Sequence, residues 1–472
     1  MKRNTKVNKS RCMVLKVGGT VITVVTALLA YLVVTKEYPP VQLDLDAWWG
    51  PSNLRGHNDT SIRPFKLEFS DEMIQDLRYR LLHHRKVSPS LDGVAFEYGF
   101  NSNELQSWVK YWADEYPYEE REKFLNRYPQ YKTNIQGLDV HFIRVTPQVQ
   151  NKEVVPLLIL HGWPGSVREF YETIPHLTSV HKQRDFAVEV IAPSLPGFGF
   201  SDAAVRPGLG AVEMAVVLRN LMHRLGHNRY YVQGGDWGAY VGQSIATIFP
   251  KEVLGFHTNL GLAITPKALS LTFISAIYPS AIVESMLADR MYPLKDYLAW
   301  LLSETGYLHL QATKPDTLGI AMTDSPSGLL AYILQIFSTG TNSKYISRHD
   351  GGLNHYPRTH LIDNLMFYWI PNSITTSFRI YAETLNKRNI ASRLAETPTP
   401  VPTWTIHAKN EIMYQPPTLL KTKFPNLLNS TVLLNGGHFL ALEMPEIFAE
   451  DVLKAVASFR QWHLNNKKQT PY

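Results

Sequence analysis

One stretch of the chain holds a reactive side chain between a strand-like run and a helix-like run. The residues Val232-Gln233-Gly234-Gly235-Asp236-Trp237-Gly238 follow an apolar run at 230–232 and precede a helical pattern at 239–249. Glycines two positions before and after Asp236 permit the strained turn that lifts one side chain clear of a sheet. A carboxylate in such a position can displace a leaving group from carbon and form an ester that water must later cleave.

A histidine near the C-terminus is the candidate general base. His438 follows a strand-like run within Asn435-Gly436-Gly437-His438-Phe439, although a loop histidine is more often only hydrogen-bonded to backbone. The order nucleophile, acid, histidine is that of α/β-hydrolases, and it favours the base. The orienting acid should lie just beyond the preceding strand, where Glu411 stands. Glu396, ahead of that strand, and Glu443, in the following helix, are weaker candidates.

A second turn is placed to stabilise a developing negative charge. His161-Gly162-Trp163-Pro164-Gly165-Ser166 follows an apolar strand-like run that ends at residue 160. The backbone N–H groups of Trp163 and Trp237 could together form an oxyanion hole. The alternative interpretation is an ordinary Gly/Pro turn between a strand and a helix.

The elements that must position these groups follow an α/β pattern. Apolar strand-like runs alternate with helical ones over residues 137–260, which predicts a sheet with helices on its faces. We predict an α/β-hydrolase core over 137–260 and 377–472, interrupted at 261–376 by a helical lid above the strand ends. Residues 37–136 are predicted to be a mostly helical N-terminal region, with helices near 70–82, 104–112 and 119–128.

The beginning of the chain predicts a membrane anchor. Residues 17–34 carry no charge and are long enough for one membrane-spanning helix, while a cleaved signal peptide is the alternative. The six basic residues before them account for the whole net charge of +6. The rest of the chain is neutral, which argues against nucleic-acid binding. Residues 1–36 are therefore predicted to be a basic tail with a single-pass anchor.

The chain resembles the microsomal epoxide hydrolase family. The resemblance runs from the anchor and Trp48-Trp49-Gly50-Pro51 through HGWPGS and GGDWG to GGHF, nearly the full length. It implies an α/β-hydrolase with a lid and a helical N-terminal domain in the endoplasmic reticulum membrane. It also implies a lid tyrosine pair that holds the epoxide oxygen, carried to Tyr307 and Tyr381 by the segments around them. The long basic extension resembles the arthropod branch, which acts on juvenile hormone, an apolar epoxide-bearing methyl ester.

The reaction that the resemblance implies needs no metal or cofactor. Asp236 attacks an epoxide carbon, Tyr307 and Tyr381 support the oxygen, and water activated by His438 and Glu411 hydrolyses the ester to release a vicinal diol. The alternatives are a haloalkane dehalogenase, which would need a halide clamp, and a lipid-hormone binding protein with a relic site.

Overall fold

A nine-stranded mixed sheet forms the centre of the computed structural model, which describes residues 43–467. In chain order its strands are β1 (Arg63–Phe65), β2 (Gln130–Ile135), β3 (Leu138–Val145), β4 (Glu153–Leu160), β5 (Phe186–Pro193), β6 (Tyr230–Gly234), β7 (Val253–Thr258), β8 (Thr403–His407) and β9 (Leu427–Val432). Their order across the sheet is β1-β2-β3-β5-β4-β6-β7-β8-β9. The pairs from β5 to β9 are parallel, and those linking β1, β2, β3 and β5 are antiparallel.

The central strands are apolar because helices cover both faces of a parallel sheet. Every residue of β5 and of β6 is buried. The helices of the described chain are α1 (Asp71–Leu82), α2 (Leu105–Lys110), α3 (Tyr118–Leu125), α4 (Ile174–Thr178), α5 (Ala211–Arg224), α6 (Asp236–Ile248), α7 (Pro266–Ile274), α8 (Leu294–Glu304), α9 (Gly306–Thr313), α10 (Pro315–Asp324), α11 (Pro326–Thr341), α12 (Arg358–Trp369), α13 (Ile374–Thr384), α14 (Lys387–Ser392), α15 (Pro417–Leu420), α16 (Leu440–Glu443) and α17 (Pro445–Lys467).

The region before β3 is helical but also contributes to the sheet. Helices α1, α2 and α3 lie in it, and Ser70 caps α1 by accepting a hydrogen bond from the Met73 N–H. The strands β1 and β2, which the sequence did not predict, extend the sheet beyond β3: β2 pairs antiparallel with β3, and β1 pairs antiparallel with β2. Since β2 and β3 form a hairpin, the predicted division at residue 136 falls in its turn. The N-terminal helices are thus tied directly to the edge of the sheet.

The long insertion between β7 and β8 is mostly helical, from α7 to α14. Asp363 on α12 joins it to the rest of the molecule. This fully buried carboxylate accepts hydrogen bonds from Arg121 of α3, from Arg168 and from the Tyr116 hydroxyl. One side chain therefore links the N-terminal helices, the segment after β4 and the insertion.

The predicted basic tail and membrane anchor, residues 1–36, lie outside the described residues. Within residues 43–467, no helix combines the length and the apolar character needed to cross a membrane.

Candidate active site

Asp236 lies at the sharp corner between β6 and α6. Its φ of +48° is uncommon for a residue other than glycine. The corner is crowded: a Cβ on Gly238 would lie 2.2 Å from the Leu160 carbonyl oxygen, and one on Gly162 would lie 2.3 Å from the Asp236 side chain. The glycines are therefore needed for close approach of the two loops. As the first residue of α6, Asp236 also lies at the positive end of the helix dipole, which favours a carboxylate.

The loop after β4 contacts this carboxylate directly. The backbone N–H of Trp163 donates a hydrogen bond to Asp236 Oδ1 over 2.8 Å. Trp237 follows Asp236 in the first turn of α6, where backbone N–H groups have no acceptor within the helix. His161 is buried and fixes the loop: its Nδ1 bonds to the Gly162 carbonyl and its Nε2 accepts from the Leu195 N–H. Burial lowers the pKa of His161 to about 4, so this imidazole is neutral.

His438 and Glu411 complete a chain of contacts that begins at Asp236. Nε2 of His438 lies 3.5 Å from Asp236 Oδ2, and its Nδ1 lies 2.7 Å from Glu411 Oε1. Both His438 and Glu411 are buried. Burial by itself lowers the pKa of His438, but the Glu411 and Asp236 carboxylates outweigh that effect and raise this pKa well above its usual value. The imidazole is held between two negative groups, which favours its protonated form.

The two other acids that the sequence offered have different partners. Glu396 forms an ion pair with Arg393. Glu443 accepts hydrogen bonds from the N–H groups of Gly437 and Phe439, on either side of His438, over 2.8 and 3.1 Å. Glu443 thus braces the loop that carries the histidine, a role that its position in the next helix did not indicate.

The insertion between β7 and β8 also contacts the loop that carries Glu411. The guanidinium of Arg290 donates hydrogen bonds to the carbonyl oxygens of Ala408, Lys409 and Glu411. The sequence did not single out Arg290, because a lone arginine carries no local signal of such a contact.

The two tyrosines lie in an aromatic cluster around the Trp163 ring. Tyr307 stacks on Trp163 with ring centroids 5.4 Å apart, and Tyr381 meets the same ring edge-on at 5.9 Å. The two tyrosine rings are 6.2 Å apart, and Trp237 packs against Tyr381 at 4.7 Å. Burial and the nearby Asp236 charge raise the pKa of both hydroxyls, which keeps them protonated. The structure therefore brings the seven candidate site residues, which come from distant parts of the sequence, to one place.

In the described part of the chain, no group of three His, Cys, Asp or Glu side chains is arranged to hold a metal ion. The fold and the site together define an α/β-hydrolase with an aspartate at the nucleophile position.

Comparison with known proteins narrows this class. The chain matches the family model "Epoxide hydrolase N terminus" over residues 62–170 and the model "alpha/beta hydrolase fold" over 155–273. It is 57% identical to a juvenile hormone epoxide hydrolase of Bombyx mori, over 93% of this chain and 96% of the relative. It is 43% identical to epoxide hydrolase 1 of Oryctolagus cuniculus, over 87% and 92%.

Solved structures of epoxide hydrolases have the same fold as this chain. The crystal structure of the Bombyx mori juvenile hormone epoxide hydrolase matches with a TM-score of 0.88 at 59% identity, covering 89% of this chain and all of that one. The Aspergillus niger epoxide hydrolase shares the fold, with a TM-score of 0.71 at 24% identity, over 88% and 99%. The chain belongs to the microsomal epoxide hydrolase family, and the prediction of an epoxide hydrolase is confirmed.

Proposed function

We propose that the chain hydrolyses apolar epoxides through an ester formed on Asp236. The observation that carries this proposal is the convergence of three kinds of group on one carboxylate. Oδ1 accepts the Trp163 N–H, Oδ2 faces the His438 imidazole, and the paired tyrosines lie close enough for the Asp236 charge to raise their pKa. Each group matches a need of a two-step displacement.

The first step assigns different roles to the two carboxylate oxygens. Because Oδ1 is held by the Trp163 N–H, Oδ2 is the oxygen that attacks a ring carbon. As the new C–O bond forms, the ring C–O bond breaks, and the departing oxygen takes a proton from Tyr307 or Tyr381. Protonated tyrosines are suited to this donation, and Oδ1 becomes the carbonyl oxygen of the ester.

Formation of the ester also prepares the second step. The Asp236 charge disappears on alkylation, so one of the two carboxylates that raise the pKa of His438 is lost. The imidazole can then give its proton to the tyrosinate left by the first step and act as a base. It draws a proton from water, and the hydroxide adds to the ester carbon while the N–H groups of Trp163 and Trp237 stabilise the negative charge on Oδ1.

Collapse of this intermediate restores the enzyme. The bond between the ester carbon and Oδ2 breaks, and the protonated His438 supplies the proton that the leaving diol oxygen needs. The new carboxyl group of Asp236 gives its proton to His438, which restores the carboxylate and the imidazolium of the resting site. The net reaction is the addition of one water to the epoxide.

Juvenile hormone is the substrate that we favour. Relatives with that name in Bombyx mori and Ctenocephalides felis are 57% and 45% identical to this chain. The rings of Trp163, Tyr332 and Phe378 extend the tyrosine cluster into an apolar wall, which suits an apolar ester. Turnover of juvenile hormone and of an aromatic epoxide by the purified chain tests this choice. A kcat/KM that favours the aromatic epoxide would contradict it.

An apolar substrate partitions into membranes, so an enzyme that acts on it benefits from being held there. In this proposal residues 17–34 are the membrane anchor. We propose a single-pass protein of the endoplasmic reticulum membrane. Its basic tail and anchor are residues 1–36, its N-terminal helical region is 37–136, its α/β-hydrolase core is 137–260 and 377–472, and its lid is 261–376. The full chain should stay with membranes after alkaline extraction. A variant in which Val24 and Leu28 are both replaced by charged residues should be released. Equal retention of both would refute an anchor at 17–34.

The roles of the tyrosines give a direct test. We expect Tyr307→Phe and Tyr381→Phe each to slow ester formation partially, since the other hydroxyl remains, and the double variant to lose about 10²- to 10⁴-fold. Tyr297→Phe removes a hydroxyl elsewhere on the insertion and serves as the control. Rapid-quench measurement of the covalent intermediate gives the rate. An unchanged rate in the double variant would remove the pair from the mechanism.

A further inference from the structure

A small cavity lies beside Asp236, and the tyrosine pair does not border it. Its lining includes Gly162, Glu169, Asp236 and His438. The volume open to the centre of a water molecule is about 10 Å³, which is close to what one water requires. Since both the reacting carboxylate and the base border this space, it is the place in the described structure that suits the hydrolytic water.

Glu169 is the one residue of this lining that carries a carboxyl group and has no role in the two steps of the ester mechanism. It lies in the 3₁₀ turn Val167–Phe170 that follows the HGWPGS motif, and Ser166 caps that turn by accepting from the Arg168 N–H. A Cβ on Gly165 would lie 1.5 Å from Glu169 Oε1. The carboxyl group thus folds back on the loop whose Trp163 N–H holds Asp236.

We propose that Glu169 positions the hydrolytic water, by hydrogen-bonding to it in this cavity while Nε2 of His438 removes its proton. Water held by the imidazole alone can rotate about that contact. A second hydrogen bond fixes its lone pair toward the Asp236 ester carbon, and orientation of this kind is a large part of catalysis. The inference rests on the proposed ester mechanism and assigns a further residue to its second step.

The surroundings of Glu169 favour a neutral carboxyl group. Burial raises its pKa to about 8, with His438 opposing the shift and Asp236 and Glu443 adding to it. The charge of Glu169 also acts on the hydroxyls of Tyr356 and Tyr368, whose pKa values it raises. A neutral carboxyl group both donates and accepts hydrogen bonds, which a water held between two partners requires. The side chain of glutamine also donates and accepts hydrogen bonds, whereas that of leucine does neither.

The test separates the two chemical steps in Glu169→Gln and Glu169→Leu. Rapid-quench mass spectrometry of the peptide containing Asp236 gives the rates at which the ester forms and decays. We expect both variants to form the ester at the wild-type rate. Ester decay should slow by about 10- to 100-fold in the leucine variant and stay near the wild-type rate in the glutamine variant. Glu172→Gln, which alters a carboxylate on the same segment that pairs with Arg168, is the matched control.

Each other outcome contradicts the assignment. Wild-type decay of the ester in both variants would show that Glu169 does not hold the water. Equal losses in both variants would rule out a neutral hydrogen-bonding role. A parallel fall in formation, decay and thermal stability would show that Glu169 only fills space. Absence of any ester in the wild-type protein would instead refute the aspartyl-ester mechanism itself, so the two failures are distinguishable.

Discussion

Two carboxylates accept hydrogen bonds from the segment that follows β4, and they differ in burial and in how fully they are hydrogen-bonded. Asp363 is fully buried and accepts hydrogen bonds from two guanidinium groups and one hydroxyl, at 2.6 to 3.0 Å. Asp236 has a side chain that is 20% exposed, receives the Trp163 N–H and faces an imidazole at 3.5 Å. Its backbone φ of +48° is uncommon as well.

The difference shows what distinguishes a reactive carboxylate from a structural one. A basic side chain beside the carboxyl group is common to both and so does not mark the site. Asp363, on the insertion, has its acceptor capacity filled by neighbours from two other parts of the chain, which suits a tie between the three. Oδ2 of Asp236 faces the His438 imidazole at 3.5 Å, and the residue borders a cavity on a backbone that holds it in place. Adjacent residues serve the two clusters: Arg168 binds Asp363, and Glu169 borders the cavity.

Removing the charge next to the imidazole should give the largest effect. In Glu411→Gln the protonated His438 loses its partner, so we expect ester hydrolysis to slow by about 10³- to 10⁴-fold, while ester formation changes much less. The covalent intermediate should therefore accumulate in single-turnover mass spectrometry. Glu396→Gln alters the acid that pairs with Arg393 and should leave both rates near wild type. Failure of Glu411→Gln to accumulate the ester would remove Glu411 from this role.

Replacing the structural carboxylate, Asp363, should lower the stability of the fold and leave the reaction rate unchanged. Asp363→Asn removes the carboxylate that pairs with buried Arg121 and one of the two that pair with buried Arg168, so we expect a loss of about 3–5 kcal/mol in the free energy of unfolding. The fraction that stays folded should keep its turnover rate. Asp316→Asn, which breaks an exposed pair with Arg379, should cost about 0–1 kcal/mol. Denaturant unfolding gives these values, and a small loss in Asp363→Asn would contradict the distinction between the two clusters.

The pH dependence of stability should show the smallest effect. The folded-state pKa of His438 is raised, since Glu411 and Asp236 outweigh burial. Its protonation therefore stabilises the fold fully below the unfolded pKa of about 6.5, and this contribution is lost as pH rises through the folded pKa. Wild type should exceed His438→Gln in stability most at low pH, with the gap narrowing at alkaline pH. A gap that widens with pH would contradict the charge state assigned to the imidazole.

The groups that follow a local pattern were predictable from the sequence. Asp236, His438 and Glu411 each follow a strand in the order typical of the fold, and the alternation of apolar runs predicted β3 to β8. The strand-like run that precedes His438 in the sequence, residues 431–434, does not coincide with the last strand, since β9 spans Leu427–Val432. Strand β9 is an edge strand with exposed residues, so the apolar run at 432–434 gave a misleading signal.

Other features depend on contacts that no local pattern records. Strand β1 is three residues long and β2 reads Gln-Tyr-Lys-Thr-Asn-Ile, so neither has the apolar character of a central strand. Tyr307 and Tyr381 were chosen by resemblance alone, because spacing does not distinguish them from the other tyrosines. Glu169 has the appearance of a solvent-facing residue near a helix, and only the folded loops reveal the cavity beside it.

The most direct test of the central claim is a single turnover in water labelled with heavy oxygen, with enzyme in excess over the epoxide. If Asp236 forms the ester, the diol of this first turnover carries an unlabelled oxygen from the protein. The label then appears in the Asp236 carboxylate, as mass spectrometry of its peptide would show. Label in the first-turnover diol and none in Asp236 would mean that water attacks the epoxide directly, and the aspartyl-ester mechanism would be wrong.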